Sequence, residues 1–159
     1  MSAGHRVRPA TSSDVDALLP LVLGYLAFYE VEREPGAVAA HLRARLDAGE
    51  ARVLVAEASG SGPEGSEAVG FALAHPTWDT LELAPRWILH DLYVAPAHRR
   101  SGVARALLRE MVAAARAAGA SAISLETAHS NTAAQPLYES EGFERDLVYR
   151  TYHRELAGD

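Results

Sequence analysis

The residues best suited to chemistry are Arg99-Arg100-Ser101-Gly102-Val103-Ala104, a glycine-bearing turn between a strand-like run, Trp87 to Val94, and a strongly apolar helix. A strand-to-helix turn leaves backbone N–H groups unpaired at the positive end of the helix dipole. Such an end binds anions, pyrophosphate above all. The two arginines at its entrance add charge-assisted contacts to the same group. Taken alone, the turn has a plainer alternative, in which Gly102 relieves crowding and the arginines form a solvated pair. It is not a P-loop, because no Gly-Lys-Ser/Thr follows and the chain contains no lysine. Nor is it a dinucleotide fingerprint, which needs three glycines and an acidic residue about twenty positions further on.

These residues sit in a chain of 159 residues, a length that fits one domain over 1–159 with a real core. A hydrophobic content of 48% and a charged content of 23% are ordinary globular values. The formal net charge of −6 argues against nucleic acid and anionic membranes as partners and is compatible with a cationic substrate. With no cysteine, disulfides, thiolate metal sites and a cysteine nucleophile are excluded, and the lack of lysine excludes Schiff-base chemistry. The seven histidines are scattered without a ligand-like pair, so no metal site is expected. No signal peptide or membrane-length apolar run is visible, and a cytoplasmic location is the expectation.

The elements that must position the turn follow from periodicity. His5 to Pro9 reads as a first strand. Thr11, Ser12 or Ser13 can cap a helix whose Leu18, Leu21, Val22, Tyr25, Leu26 and Tyr29 recur at helical spacing. A charged turn from Glu30 to Pro35 leads into a second helix, about Gly36 to Leu46. Strands are expected at Arg52 to Ala58, Ala68 to Ala74 and Arg86 to Val94, with Ser59 to Ser66 as a flexible hairpin loop between the first two. The helix from about Ser101 to Ala118 buries Val103, Leu107, Leu108, Met111, Val112 and Ala115, and Gly119 stops it. A fifth strand at Ala122 to Thr127, a short helix at Thr132 to Ser140, and a closing β pair at Phe143 to Val148 and Tyr149 to Glu155 complete the chain. The order β-α-α-β-β-β-α-β-α-β-β is that of an α/β fold, a mixed sheet with helices on both faces.

Three segments at this spacing carry a resemblance: Asp91-Leu92-Tyr93-Val94-Ala95-Pro96, then Arg99-x-x-Gly102-x-Ala104, then Asn131 with Leu137-Tyr138-x-x-x-Gly142-Phe143. Together with the element order they resemble the GCN5-related N-acetyltransferases (GNAT) over nearly the whole chain. That resemblance implies a twisted, mostly antiparallel sheet of six or seven strands, splayed between strands 4 and 5, with acetyl-CoA in the gap. It implies that Arg99, Arg100, Ser101, Gly102, Val103 and Ala104 are the pyrophosphate loop, of the usual form Gln/Arg-x-x-Gly-x-Gly/Ala. Leu92 and Val94 match the strand positions whose backbone pairs with the pantetheine arm, which finds partners that a closed sheet would have consumed. Asn131 matches a residue that hydrogen-bonds that arm; its alternative is a helix N-cap. Tyr138 matches the general acid that protonates the departing thiolate, a reasonable transfer between groups of reference pKa about 10 and about 8.5. Its alternative is a core residue with its hydroxyl exposed.

Deprotonation of the acceptor is a separate task, since only the neutral amine attacks. The family's acidic residue often stands two places before the strand position matched by Leu92, and here that place is His90. Histidine, titrating near about 6.5, serves as a base directly or through water. Asp91 ranks second, because strand alternation points it to the opposite face unless a bulge turns it. A strand histidine satisfied by its neighbours is the plainer alternative for His90. The acceptor pocket that the resemblance implies is framed by the first two helices, where Tyr25, Phe28, Tyr29, Glu30 and Glu32 lie, with Trp78 and Asp79 after the third strand. Aromatic faces beside carboxylates suit an ammonium; otherwise the tyrosines are core and the acids a solvated turn. Phe28-Tyr29, Trp78 and the fourth-strand sequence are most similar to the small-amine branch that includes diamine acetyltransferases. The expected partner is therefore a small-molecule amine such as a polyamine, amino acid or aminated antibiotic, attacked directly in a ternary complex. A protein N-terminus or lysine as acceptor, and a non-catalytic acyl-CoA sensor, are the alternatives. A homodimer through the last strands is a further expectation from the resemblance.

Overall fold

The structure, a computed structural model, describes residues 4–59 and 65–156. Contacts divide the chain into two compact units, Met1–Glu126 and Thr127–Asp159. The first contains strand β1 (His5–Pro9), helices α1 (Val15–Phe28) and α2 (Pro35–Asp47), strands β2 (Arg52–Ser59), β3 (Ser66–Asp79) and β4 (Ala84–Val94), helix α3 (Val103–Ala117) and strand β5 (Ala122–Leu125). The second contains helix α4 (Gln135–Ser140). The strands form a mixed sheet in the order β1-β2-β3-β4-β5, antiparallel up to β4 and parallel between β4 and β5. No helix among the described residues is long and apolar enough to cross a membrane.

Helices cover both faces of this sheet because β3 alternates. Phe71 belongs to a cluster with Val15, Leu18, Leu21 and Val22 of α1 and Leu42 of α2. Its neighbour Gly70 faces the other way, where a Cβ would lie 3.2 Å from both Val103 and Leu107 of α3 and 2.9 Å from the Tyr93 carbonyl oxygen. Only glycine lets α3 approach that closely. Val103, Leu107, Leu108, Met111 and Ala115 form the buried stripe of α3, the face that helical spacing predicts.

The hairpin boundaries differ from those expected. The β3–β4 hairpin runs past Ala74 to Asp79, whose Oδ1 accepts the N–H groups of Leu81 at 3.0 Å and Glu82 at 3.4 Å and so closes the turn. The loop expected at Ser59 to Ser66 falls largely on 60–64, which lie outside the described residues, although Ser59 and Ser66 pair across β2 and β3.

The closing β pair needs correcting. Among the described residues the sheet has five strands, not six or seven, and 143–156 form none. The alternating apolar pattern there is diverted by Asp146, whose Oδ1 accepts the N–H groups of Val148 and Tyr149, both at 2.8 Å. An Asx turn of this kind consumes the donors a strand ladder would use.

At the other end, a charged cluster ties β1 to the start of α1 and to β2. Arg8 donates to Asp14 at 2.8 Å and to Glu57 at 2.6 Å, while Asp14 Oδ2 also accepts the Thr11 N–H at 2.8 Å. Hydrogen bonds from the Arg8 guanidinium hold the Asp14 carboxyl down at about 2, against an ordinary 3.8. An acid whose pKa falls on folding stabilises the fold above its unfolded pKa and loses that contribution as the pH falls through the folded one. Asp14→Asn is therefore expected to lower unfolding stability by about 2 kcal/mol at pH 7. In urea titrations the gap from wild type should be about half as large near pH 3 and nearly gone at pH 2.

Candidate active site

The turn before α3 has the shape that its sequence implies. Gly102 is the N-cap of α3 at φ 87 and ψ 0, and Arg100 also takes the left-handed region at φ 60. Alternating backbone conformations of this sort turn successive N–H groups toward one concavity. Among the described residues nothing lies within 4 Å of where a Gly102 Cβ would stand, so the corner is open rather than filled by their side chains. The side chains around it are partly committed. Arg99 donates Nε–H to the Val94 carbonyl at 3.0 Å and lies over the Tyr93 ring at 5.6 Å. The Ser101 hydroxyl donates to the His98 carbonyl. Val103 is buried against the sheet, Ala104 is half-buried, and Arg100 is exposed.

The strand leading to this corner has an open edge. The β4–β5 ladder pairs Arg86 to Leu89 with Ala122 to Leu125 and ends there, while β4 continues to Val94. This is the splay expected between strands 4 and 5. The Ala95 N–H donates to the Val69 carbonyl of β3 at 2.9 Å. Backbone polar groups alternate along a strand, so those of Leu92 and Val94 face away from β3, toward the open edge. The Arg99 side chain takes the Val94 carbonyl, which leaves the N–H as the Val94 group offered to a ligand.

A cavity of about 800 Å³ lies between α1, α2 and the sheet. Its walls are largely apolar: Val22, Leu26, Val38, Leu42 and Leu73. One polar end is built by a β-bulge. Leu73 pairs with Asp91 and Ala74 with Leu89, so His90 is the extra residue of β4. The bulge breaks alternation, and both His90 and Asp91 line the cavity. Burial pushes the Asp91 carboxyl above the ordinary carboxylate range, a shift opposed by a hydrogen bond from Tyr25 and by His90. His90 Nε2 stands 2.9 Å from Nδ1 of His75, the two rings stacked with centroids 4.4 Å apart at 27°.

Of the seven residues expected in an acceptor pocket, the cavity takes Tyr25. Its ring meets Tyr29, Phe71 and Tyr93 edge-on at 5.1, 6.0 and 6.4 Å. Phe28 and Tyr29 are exposed at the end of α1, and Glu30 and Glu32 are exposed in the turn that follows. Trp78 is 82% exposed on the β3–β4 hairpin. Asp79 closes that hairpin and pairs with Arg86 at 3.4 Å. The polar lining that sequence reasoning missed is Arg33, His41, Arg45, Glu50 and His75. Helical spacing could have found part of it, since Ala37, Val38, His41, Leu42 and Arg45 share one face of α2. Nothing local marks His75, which meets His90 only through strand register.

In the second unit, the Asn131 side chain donates to Thr127 Oγ1 at 3.2 Å. The N-cap of α4 is Ala134, so Asn131 does not cap that helix. Tyr138 is half-buried on α4 with its ring 6.2 Å from Phe143, and the Phe143 N–H donates to the Tyr138 carbonyl at 3.0 Å.

A family model described as the acetyltransferase (GNAT) family matches residues 22–143. The chain is 34% identical over 146 residues to an uncharacterized N-acetyltransferase, YhfO, of Bacillus subtilis (strain 168), covering 92% of this chain and 94% of that one. Among solved structures, a probable acetyltransferase matches with a TM-score of 0.87 at 31% identity, over 97% of this chain and 99% of its own. The aminoglycoside N-acetyltransferase AAC(6')-Iy, solved in complex with CoA, matches in fold with a TM-score of 0.80 at 21% identity, over 99% of this chain and 98% of its own.

Proposed function

The chain belongs to the GNAT family of acetyltransferases, and from that premise we propose that it acetylates a small primary amine seated in the cavity between α1, α2 and the sheet. One observation carries this reading: the β4 bulge sets His90 and Asp91 side by side at the polar end of a largely apolar space of about 800 Å³. The lining favours an amine with an apolar body over a polyamine. Arg45 is neutralised by Glu50 at 2.6 Å, whereas Arg33 donates to the Glu32 carbonyl and has no carboxylate partner among the described residues, so its charge opposes a second ammonium.

Acetyl-CoA, when bound, supplies the acyl group as a thioester already activated toward amines. The residues present fit it, because among the described residues the Gly102 corner is open and the Leu92–Val94 edge has no strand partner beyond β3. Main-chain N–H groups of 100–104, with Arg100, hold the diphosphate. Leu92 and Val94 hold the pantetheine arm, aided by Asn131. His90 takes the ammonium proton, and Asp91 together with the Tyr25 hydroxyl orients the amine. A backbone N–H near Val94 would donate to the thioester oxygen as negative charge develops there. Tyr138 donates its phenolic proton to the departing sulfur.

The test is an amine panel with acetyl-CoA present, read by CoA release. It spans polyamines, amino acids, aminated antibiotics, arylalkylamines and short peptides with free N-termini. Turnover of the small amines, best with those carrying an apolar body, is expected. Turnover of peptides alone assigns a protein acceptor, and tight acetyl-CoA binding without any turnover assigns a sensor; either result overturns the reading.

A further inference from the structure

We propose that His75 is a positioning residue for the reaction: its Nδ1 accepts the Nε2–H of His90, leaving His90 Nδ1 as the nitrogen that takes the substrate's proton. This rests on the reading of His90 as the base. The contact itself is direct, 2.9 Å between the two nitrogens with the rings stacked. It joins β3 to the bulged residue of β4 at the polar end of the cavity.

Two hydrogen-bonded imidazoles share one proton between the facing nitrogens, so one ring donates and the other accepts. His75 is the half-buried partner and His90 the exposed one. Burial, and then the neighbouring His90, hold His75 below the ordinary histidine range. His75 is therefore the ring disposed to stay neutral, with a lone pair on Nδ1 to offer to the Nε2–H of His90. Proton transfer then balances simply. An N–H bond of the ammonium breaks, an N–H bond forms on His90 Nδ1, and the free amine keeps its electron pair for attack. The resulting imidazolium is held by its Nε2–H bond to His75, a hydrogen bond strengthened by charge. The proton leaves later to water through the exposed side of His90.

Other ionisable groups lining the same cavity are Asp91 on β4, Tyr25 on α1, His41 and Arg45 on α2, and Arg33 and Glu50 in the flanking loops. All remain unchanged when only His75 is replaced, so a comparison of His75 variants isolates its contribution. His75→Leu removes the acceptor, whereas His75→Asn keeps an oxygen close to the position of Nδ1.

The experiment is an NMR pH titration of the His90 ring in the ligand-free full-length chain, with the pH profile of kcat/KM measured beside it. In His75→Leu the His90 midpoint is expected to fall, its protonation constant dropping about three- to tenfold. Because the base must be neutral to act, the acid limb of kcat/KM should move to lower pH by the same amount, with the acetyl-CoA KM unchanged. His75→Asn should titrate close to wild type. A His90 midpoint unmoved in His75→Leu overturns the proposal. So does an Asn variant that behaves like the Leu variant, and if the Leu variant does not fold, an Asn variant whose His90 midpoint falls as far as expected for Leu decides alone. A midpoint that moves while the activity profile stays fixed overturns His90 as base, and separates that failure from a failure of the His75–His90 pairing.

Discussion

Gly102→Glu is expected to raise the acetyl-CoA dissociation constant at least about 100-fold, a loss of about 2.7 kcal/mol. Two effects combine. Gly102 sits at φ 87, where a side chain costs about 1–2 kcal/mol, and the new carboxylate stands in the corner assigned to a diphosphate. The space there is open, with nothing among the described residues within 4 Å of the added Cβ, so the fold should survive the change. Gly102→Ala separates the two effects, since it brings only the backbone cost and should weaken binding about tenfold. Isothermal calorimetry with acetyl-CoA and with CoA reads both variants. Full affinity in Gly102→Glu would remove this turn from the binding site and, with it, the proposed place of the thioester.

Tyr138→Phe is the second large expected effect. It deletes one oxygen and leaves the ring that packs against Phe143. If the phenol protonates the leaving thiolate, kcat should fall by about tenfold to a thousandfold, while the acetyl-CoA dissociation constant stays within about twofold. The alkaline limb of the kcat profile should also vanish, because the acid whose ionisation sets it is gone. Stopped-flow CoA release under saturating amine, beside calorimetry, distinguishes loss of an acid from loss of binding. Unchanged turnover assigns the proton to water and leaves Tyr138 a packing residue.

Segments whose chemistry is local were legible in the chain itself. The Arg99 to Ala104 turn, the buried stripe of α3 from Val103 to Ala115, and the strand-to-turn run ending at Val94 each repeat a short-range pattern. Neighbours in sequence impose helix period, left-handed glycine and cap chemistry. Those patterns sufficed to recognise the GNAT family and to point to the splay beside Leu92 and Val94. The closing strands misled, because the alternation of 143–155 carries no information about Asp146, whose side chain takes two of the needed N–H groups.

What only the tertiary structure decided is the polar end of the cavity. A bulge is a mismatch between two strands, here Leu73 and Ala74 against Asp91 and Leu89, and no single strand's sequence encodes the partner register. It turned two consecutive residues, His90 and Asp91, onto one cavity and brought His75 within 2.9 Å of His90 across fifteen positions of chain. Side chains announce the kind of chemistry available to a chain. Which of them meet is set by pairing and packing between distant segments, and that is summed only when the sheet closes.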